Sequence, residues 1–271
     1  MRGWRARLAV ALAWVGGAVL VAFVVLPLWY MVILSLDPEP VGHGPSLWPQ
    51  GLSLDNYRYR FLSAPVFRFY PDLSRSLLLS LGTTLVSMLI AVPGAYALGR
   101  LSVRGQAQIL AGMITLAFFP GIVLVVPLSK VFSDIGWLDR LYGIGLAQLS
   151  FTVPLALWFL AYAFRSVPRE VEEAAMMDGA GLLQRITRVI LPIARPGVAG
   201  ATVIVFIASW NDFLFGSTLN RSTRSETLPV LLSKLPTIGF LGGQMAASVL
   251  MCLPVVLVVA ALLRWLSARS T

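Results

Sequence analysis

EEAAMMDGAGLLQRITRVILP, residues 172–192, is the longest polar interruption in the second half of an otherwise apolar chain. Pro168 and the glutamates that follow it predict a helix start, because proline fits the first turn and carboxylates favour the positive N-terminus of a helix. The small residues at 179–181 should break this helix. An amphipathic helix should follow, ended by Pro192 and Pro196. The expected structure is therefore a helix, a bend and a second helix.

Two interpretations of this bend remain open on spacing alone. Small side chains would let the surface of another protein approach the backbone closely, and a neighbouring carboxylate could pair with an arginine of that protein. Alternatively, the two helices lie on the inner leaflet of a membrane, where Arg185 and Arg188 would meet anionic lipid. The first interpretation makes the segment a joint that transmits force, and the second makes it an anchor.

The composition indicates an integral membrane protein. Of 271 residues, 58% are hydrophobic and only 12% are charged, which lies beyond ordinary soluble usage. Several runs without Asp, Glu, Lys or Arg exceed the roughly 20 residues that cross a bilayer. We therefore predict an all-α membrane protein with six transmembrane helices, at 8–36, 76–99, 107–129, 141–164, 197–217 and 243–264.

The remaining segments are tails and loops. We predict an extracytoplasmic loop at 37–73, with a short aromatic segment around Tyr57 and Phe61 at the membrane interface, a long inner loop at 165–196, and tails at 1–7 and 265–271. Glycines inside the spans, at 94, 99, 197 and 200, should permit close helix approach. The first apolar run is about twice the length of a signal-peptide core, so we expect an uncleaved anchor.

Basic residues predict the orientation. Placing both termini in the cytoplasm puts 12 of the 21 Lys and Arg residues on the inner side, in shorter loops, as the positive-inside rule requires. The net charge of +9 is thereby explained by membrane topology. It gives no support for nucleic-acid binding, because no folded basic face is concentrated enough to meet phosphates.

Several chemistries are excluded by what the sequence lacks. The only histidine, His43, lies in a Gly/Pro-rich loop, and the only cysteine, Cys252, lies in the last predicted span. Metal binding and histidine acid–base catalysis are therefore not expected. No G-x-x-x-x-G-K-[ST] phosphate loop is present. If ATP drives this protein, another chain must bind it.

The motif order gives a specific resemblance. The sequence contains EAA-x-x-DGA at 173–180, followed by Leu191-Pro192 and Pro196, with YALGR at 96–100, VPRE at 167–170, WNDF at 210–213 and TLPV at 227–230. Together these motifs resemble the MalG-like (CUT1-type) permease subunits of carbohydrate ABC importers, over roughly residues 15–265. The implied fold is the type I importer permease (MetI-like) fold, with an ABC transmembrane type-1 core at 74–266.

This resemblance implies a multi-subunit machine. The chain would pair with a second, MalF-like permease and two ATP-binding cassette subunits that hold ATP and Mg²⁺, while an extracytoplasmic binding protein delivers a sugar, oligosaccharide or related polyol or glycerophosphate. The location would be a bacterial or archaeal cytoplasmic membrane. The residues that map onto the family's coupling helix, which docks in the ATPase, are Glu173, Ala174, Ala175, Asp178 and Gly179.

Trp210, Asn211 and Asp212 are candidates for the solute pathway. Asp212 is the one carboxylate inside a predicted span, about 22 Å along the helix from its start, and intramembrane charges are often functional. An indole face with adjacent hydrogen-bonding groups suits a sugar. The alternative is that Asn211 and Asp212 cap the span or bond a neighbouring helix, as buried polar residues in bundles commonly do.

Two other function classes fit the sequence less well. An ion-driven secondary carrier would need several intramembrane ionisable residues or paired broken helices, and only Asp212 is available. A membrane-embedded enzyme would need a nucleophile with a base, or a metal cluster, within the spans. The sequence therefore favours a permease that is not itself an enzyme, with the secondary carrier as the alternative.

Overall fold

The computed structural model describes residues 3–38, 48, 51–58, 69–222, 225–236 and 240–268. Within them all regular structure is helical, which confirms the predicted all-α class. The helices are α1 (Gly3–Leu36), α2 (Phe69–Arg100), α3 (Gln106–Ala117), α4 (Gly121–Asp134), α5 (Leu141–Arg165), α6 (Arg169–Met177), α7 (Leu182–Gln184), α8 (Leu191–Ile193), α9 (Arg195–Trp210), α10 (Leu214–Leu219), α11 (Leu228–Ser233) and α12 (Leu241–Ser267), with a π-helical segment at Arg185–Ile190. Residues 59–62, part of the predicted interfacial segment, lie outside the described ranges.

The chain divides into two compact units. Unit 1 contains Met1–Phe69 and Lys234–Leu253, and unit 2 contains Tyr70–Ser233 and Pro254–Thr271. In unit 1 the end of α1 is held by Asn56, whose side-chain amide donates to the carbonyl oxygens of Ser35 at 3.1 Å and Asp37 at 2.6 Å. A side chain at Gly242 would collide with this amide, because its Cβ would lie 2.5 Å from Asn56 Nδ2.

Unit 2 is built around α5. This helix packs against α3 and α9, and its buried side chains are mostly apolar. Glycine allows the closest approaches: a Cβ on Gly99 of α2 would lie 2.9 Å from the carbonyl oxygen of Ala161, and a Cβ on Gly197 of α9 would lie 2.4 Å from Cβ of Ala163. Because lipid tails are as apolar as the helices, such close packing is a main source of helix association in a bilayer.

Four helices of the described chain are long and apolar enough to cross a membrane: Val10–Leu36, Phe69–Arg100, Leu141–Arg165 and Leu241–Ser267. Two bent pairs raise the number to six if each pair is one span. One pair, Gln106–Ala117 with Gly121–Asp134, bends by 77°, and the other, Leu182–Ile193 with Arg195–Trp210, bends by 86°. The predicted count of six is therefore the upper count for the described residues.

The segment 107–129, predicted as one span, is divided between α3 and α4. Pro120 stands at the N-cap of α4. Proline has no N–H to continue the helical ladder and disfavours helical geometry in the residue before it, here Phe119. The apolar run is continuous across the break, so hydrophobicity alone did not reveal it.

The segment 197–217, predicted as the fifth span, also contains a break. Helix α9 ends at Trp210 and α10 starts at Leu214. Between them, the Asp212 carboxylate accepts the backbone N–H groups of Phe215 at 3.4 Å and Gly216 at 3.3 Å. Asp212 therefore caps a new helix, because its carboxylate satisfies N–H groups that have no partner in the first turn.

The contact of α9 with α5 should not tolerate a single added methyl at Gly197. We expect Gly197→Ala to lower the free energy of unfolding by about 1–3 kcal/mol, the usual cost of overpacking, because Ala163 meets it through its rigid Cβ. Gly200→Ala in the same helix is the matched control, since its Cβ would meet nothing within 4 Å of this chain. Thermal unfolding of the purified chain in detergent tests this, and equal melting temperatures for the two variants would contradict it.

Candidate functional site

The segment after α5 has the predicted order of helix, bend and helix. Helix α6 follows Pro168, has acidic residues in its first turn, and ends at Met177. Gly179 then has φ of +81°, a left-handed conformation that glycine adopts without steric cost. The bend thus depends on a glycine at position 179.

The second helix differs from the prediction at its end. It runs through α7, the π-helical segment and α8, so Pro192 lies inside it rather than ending it. Proline is accommodated because it stands in the first turn of α8, after a π-helical segment that already departs from the α-helical ladder. The break falls at Ala194, and Pro196 opens α9.

Four of the five predicted coupling residues lie on the exposed side of α6 and its bend. Glu173, Ala174, Asp178 and Gly179 are exposed and Ala175 is half-buried. No described atom lies within 4 Å of the position that a Cβ on Gly179 would take. These five residues are thus wholly or partly accessible at α6 and its bend, and we call them the α6 outer face.

The opposite side of α6 contains a residue that sequence reasoning missed. Glu172 is the only buried residue of this helix, with 7% of its surface exposed. Its Oε1 accepts a short hydrogen bond from the Tyr96 hydroxyl. Its Oε2 accepts from Arg100 Nε at 2.7 Å, and Nη1 of Arg185 lies 3.7 Å from Oε1. We call these four residues the Glu172 clamp.

Arg100 links the clamp to the end of α5. Its Nη1 donates to the carbonyl oxygen of Val167 at 2.6 Å and more weakly to that of Phe164 at 3.4 Å. Its Nη2 reaches the carbonyl oxygen of Pro168 at 3.4 Å. A planar guanidinium with five donors can serve several acceptors at once, which a lysine cannot. One side chain therefore joins the end of α2, the end of α5 and α6.

The clamp keeps Glu172 ionised. Burial by itself would raise the pKa of Glu172, but the hydrogen bonds from Tyr96 and Arg100 and the charges of Arg100 and Arg185 outweigh burial and lower that pKa below its ordinary value. The charged form is thus the one that this site stabilises.

A small pocket opens beside the clamp. It measures about 180 Å³ and is bordered by three arginines, two glutamates and two apolar residues: Arg100, Arg169, Arg185, Glu172, Glu173, Leu101 and Met176. The pocket is therefore a recess of mixed charge next to the α6 outer face. Its size suits the insertion of one or two side chains of another protein rather than a whole solute, since ligand pockets usually measure about 300–1,000 Å³.

The clamp could have been suspected from the sequence only in part. YALGR places Tyr96 and Arg100 one helical turn apart on the same face of α2. The sequence did not reveal that Glu172, rather than its neighbours Glu170 and Glu173, faces them. Three acidic residues in one helical turn look alike until the helix has been docked.

The three candidate pathway residues are not grouped in one open site. Trp210 is buried and stacks on Phe206 with ring centroids 5.8 Å apart. Asn211 is exposed and Asp212 is half-buried. Besides capping α10, Asp212 accepts a hydrogen bond from Gln148 Nε2 at 3.1 Å. The geometry at Asp212 therefore fits the alternative of a cap and interhelical tie.

Gln148 belongs to a chain of buried hydrogen bonds inside unit 2. Its Oε1 accepts from the Ser209 hydroxyl at 2.5 Å. The Thr152 hydroxyl donates to the Gln148 carbonyl oxygen at 2.8 Å and accepts from the Ser87 hydroxyl at 2.8 Å. This chain connects α2, α5 and α9 through polar groups that would otherwise be costly in lipid.

No group of three His, Cys, Asp or Glu residues arranged to hold a metal ion is found in the described part of the chain. What this part offers instead is an exposed bend backed by an ion cluster at one place and a network of interhelical ties at another. The exposed bend is suited to transmitting movement to the helices, and the interhelical hydrogen bonds are suited to holding the helices together.

The Glu172 clamp should contribute stability in a pH-dependent manner. Because the pKa of Glu172 is lower in the folded state, the contribution is complete above the ordinary glutamate pKa of about 4.3 and is lost as the pH falls through the lowered value. The melting temperature of Glu172→Gln should thus lie below that of the wild type near neutral pH, and the gap should close in acid. Glu170→Gln, at an exposed position of the same helix, is the control and should melt close to the wild type. A gap that persists unchanged in acid would contradict this.

Asp212 should act mainly on stability. We expect Asp212→Ala to lower the free energy of unfolding by about 1–2 kcal/mol, the upper range for loss of a helix cap, since the Gln148 tie is lost with it. Asp212→Asn retains an acceptor for the α10 cap and should cost less. Chemical unfolding in detergent measures both, and a wild-type stability for Asp212→Ala would count against the tie.

Comparison with known proteins identifies the family of this chain. Residues 91–271 match the family described as the binding-protein-dependent transport system inner membrane component. The chain is 35% identical to the inner membrane ABC transporter permease protein YcjP of Escherichia coli K12, covering 94% of this chain and 92% of YcjP. It is 33% identical to the trehalose/maltose transport system permease protein MalG of Thermococcus litoralis, covering 89% and 88%.

A solved structure shows the same fold. A bacterial ABC transporter involved in the import of the acidic polysaccharide alginate has a chain that covers 98% of this one, with a TM-score of 0.74 and 24% identity. Its own length is also 98% covered. At this identity the likeness concerns the fold alone.

The match over most of the chain and the identity to these permeases decide the class. The chain is a multi-pass inner-membrane permease that works in an ABC import complex with a binding protein, and it is a transport subunit rather than an enzyme, with ATP hydrolysis carried by separate subunits. This protein therefore belongs to the binding-protein-dependent transport system inner membrane component family.

Proposed function

We propose that this chain forms half of the translocation pathway of a carbohydrate importer, with a second, MalF-like permease as the other half and two ATP-binding cassette subunits as the motor. The observation that carries the proposal is the α6 outer face: Glu173, Ala174 and Gly179 are exposed at a bend while the helix behind them is held by a buried ion cluster. An exposed bend on a firmly held helix is what a docking joint requires.

The roles within this joint follow from the side chains. Glu173 and Asp178 offer exposed carboxylates to cationic groups of the ATPase. Ala174 and Ala175 have small side chains, which let the partner approach the helix closely. Gly179 leaves space for the partner, since no atom of the described residues lies within 4 Å of the position that its Cβ would take. When the ATPase pair closes on ATP, the docked helix moves with it, and the two permease halves rock between inward and outward access.

The membrane orientation belongs to the same proposal. The α6 end of unit 2 faces the cytoplasm, where the ATPases are, and both termini are cytoplasmic. Support comes from Arg100, Arg165, Arg185 and Arg188, which lie at or near this end, because arginines concentrate on the cytoplasmic side of membrane proteins.

Carbohydrate is the proposed cargo class. The transport systems of similar proteins support it: MalG of Thermococcus litoralis is a trehalose/maltose permease, SugB of Mycobacterium tuberculosis a trehalose permease, and DasC of Streptomyces coelicolor a diacetylchitobiose permease. The cargo is accordingly a sugar or oligosaccharide, or a related polyol or glycerophosphate. The extracytoplasmic binding protein that delivers it is expected to set most of the selectivity.

Within the candidate pathway, we expect Asn211 to be the residue that contacts a solute. Its side chain is exposed, whereas Trp210 is packed inside and Asp212 is held by Gln148 and the α10 cap. Trp210 and Asp212 then position Asn211, and the side-chain amide of Asn211 can both donate to and accept from a sugar hydroxyl.

Substitution of Gly179 tests the docking joint. We expect Gly179→Leu to abolish ATP-dependent uptake in proteoliposomes that contain the complete importer, because the side chain fills the clearance that the ATPase needs. Gly179→Asn should also impair uptake, although asparagine tolerates the left-handed backbone, which separates clearance from backbone strain. Gly181→Ala is the matched control, since Gly181 lies at the same bend with an ordinary φ of −68°.

Charge reversal at Glu173 provides a second arm. Glu173→Lys should prevent co-purification of the ATPase with the permease while leaving membrane insertion intact. Normal uptake with both Gly179→Leu and Glu173→Lys would remove the docking assignment. Uptake that persists without any ATPase subunit would instead favour an ion-driven carrier.

A further inference from the structure

We propose that the Glu172 clamp is the fastener through which movement of α6 reaches the transmembrane helices, so that Glu172 and Arg100 act as positioning residues of the transport cycle. The proposal rests on the proposed docking of α6 in an ATPase. It goes further by assigning a role to Tyr96, Arg100, Glu172 and Arg185, none of which lies on the α6 outer face.

The need for a fastener comes from the size and surroundings of α6. The helix has nine residues, and Glu172 is its only buried residue. Beyond its end, a Cβ on Gly179 or Gly181 would meet nothing within 4 Å among the described residues. Apart from its contact with the π-helical segment, α6 therefore buries little side-chain surface, and the Glu172 carboxylate provides its hydrogen bonds to α2.

That attachment has a defined geometry. The two oxygens of Glu172 bind different donors, Oε1 taking the Tyr96 hydroxyl and Oε2 taking Arg100 Nε. Hydrogen bonds to an ionised group are short, directional and stronger than neutral ones. A force on α6 is thus passed to the C-terminal turn of α2 without the sliding that apolar contacts allow.

Arg100 extends the fastening to α5. Its guanidinium donates to the carbonyl oxygens of Phe164 and Val167, at the start of the link between α5 and α6, and so holds this link in place. Arg100 is also the last residue of α2, where a positive charge is favourable beside the unpaired carbonyl groups of a helix end. The ends of α2 and α5 therefore move together with α6.

Deeper in unit 2 the same two helices are joined again. Ser87 of α2 bonds Thr152 of α5 at 2.8 Å, about 20 Å along α2 from Arg100 at 1.5 Å per residue. Gly94 and Gly99 lie between these two ties and bring α2 close to Leu157 and Ala161. A displacement entering at the clamp is consequently transmitted along a rigid pair of helices instead of being absorbed at their ends.

The test measures coupling rather than activity alone. The complete importer is reconstituted in proteoliposomes with wild type, Glu172→Gln, Arg100→Lys or Tyr96→Phe, and ATP hydrolysis and solute uptake are measured on the same vesicles. We expect the ATPase to remain bound and the ATP hydrolysed per solute imported to rise roughly five- to tenfold for Glu172→Gln and Arg100→Lys, the scale of a coupling between two sites. Tyr96→Phe, which removes one hydroxyl, should give a smaller rise.

This ratio separates a fastener from a general structural role. Poor folding lowers the number of assembled importers, so hydrolysis and uptake fall together and their ratio stays constant. Arg104→Lys is the matched control, because Arg104 is an exposed arginine four residues beyond Arg100 and should keep the wild-type ratio.

The outcomes are distinguishable from those for the docking joint. If the wild-type permease binds no ATPase, the proposed function itself fails. If the ATPase binds and all three clamp variants keep the wild-type ratio, the docking joint stands and the fastener is overturned. Loss of ATPase binding in Tyr96→Phe and Arg100→Lys would also overturn it, because the clamp would then shape the docking surface rather than transmit its movement.

Discussion

The structure of the α6 region depends on the burial of one charged carboxylate. Removing Glu172 from water is costly unless its charge is paired and its oxygens accept hydrogen bonds. Tyr96, Arg100 and Arg185 meet both requirements from α2 and from the π-helical segment. The same hydrogen bonds also fix the orientation of α6, because the Glu172 carboxylate can reach these donors only when its helix is turned toward them. The exposed Glu173 and Gly179 are presented outward as a consequence.

Polar ties perform the same task deeper in unit 2. In lipid there is no hydrophobic force that drives helices together, so association depends on close packing and on hydrogen bonds between helices. Glycines let α2 and α9 approach α5, and the chain from Ser87 through Thr152 and Gln148 fixes the register of these helices. Asp212 joins this network and also caps α10, so one carboxylate both caps the start of a helix and bonds to α5.

Two helical segments of this permease are interrupted by breaks. Pro120 separates α3 from α4, and Asp212 separates α9 from α10. Irregular backbone at membrane depth is tolerated where it is buried in protein or lines a water-filled cavity. The breaks in this permease are accordingly consistent with a protein that must enclose a path for a polar solute, and the family membership agrees with that use.

The sequence by itself determined the class, the apolar spans, the bend at residues 179–181 and the motif order that marks an importer permease, because hydrophobic runs, glycine and proline act locally and can be read in order. Tertiary structure alone decided which of Glu170, Glu172 and Glu173 is buried, that Asp212 is tied to α5, and that Trp210 faces inward. These outcomes depend on donors and surfaces from helices far away in the chain, such as Tyr96 for Glu172 and Gln148 for Asp212. A residue's neighbours in sequence do not contain that information.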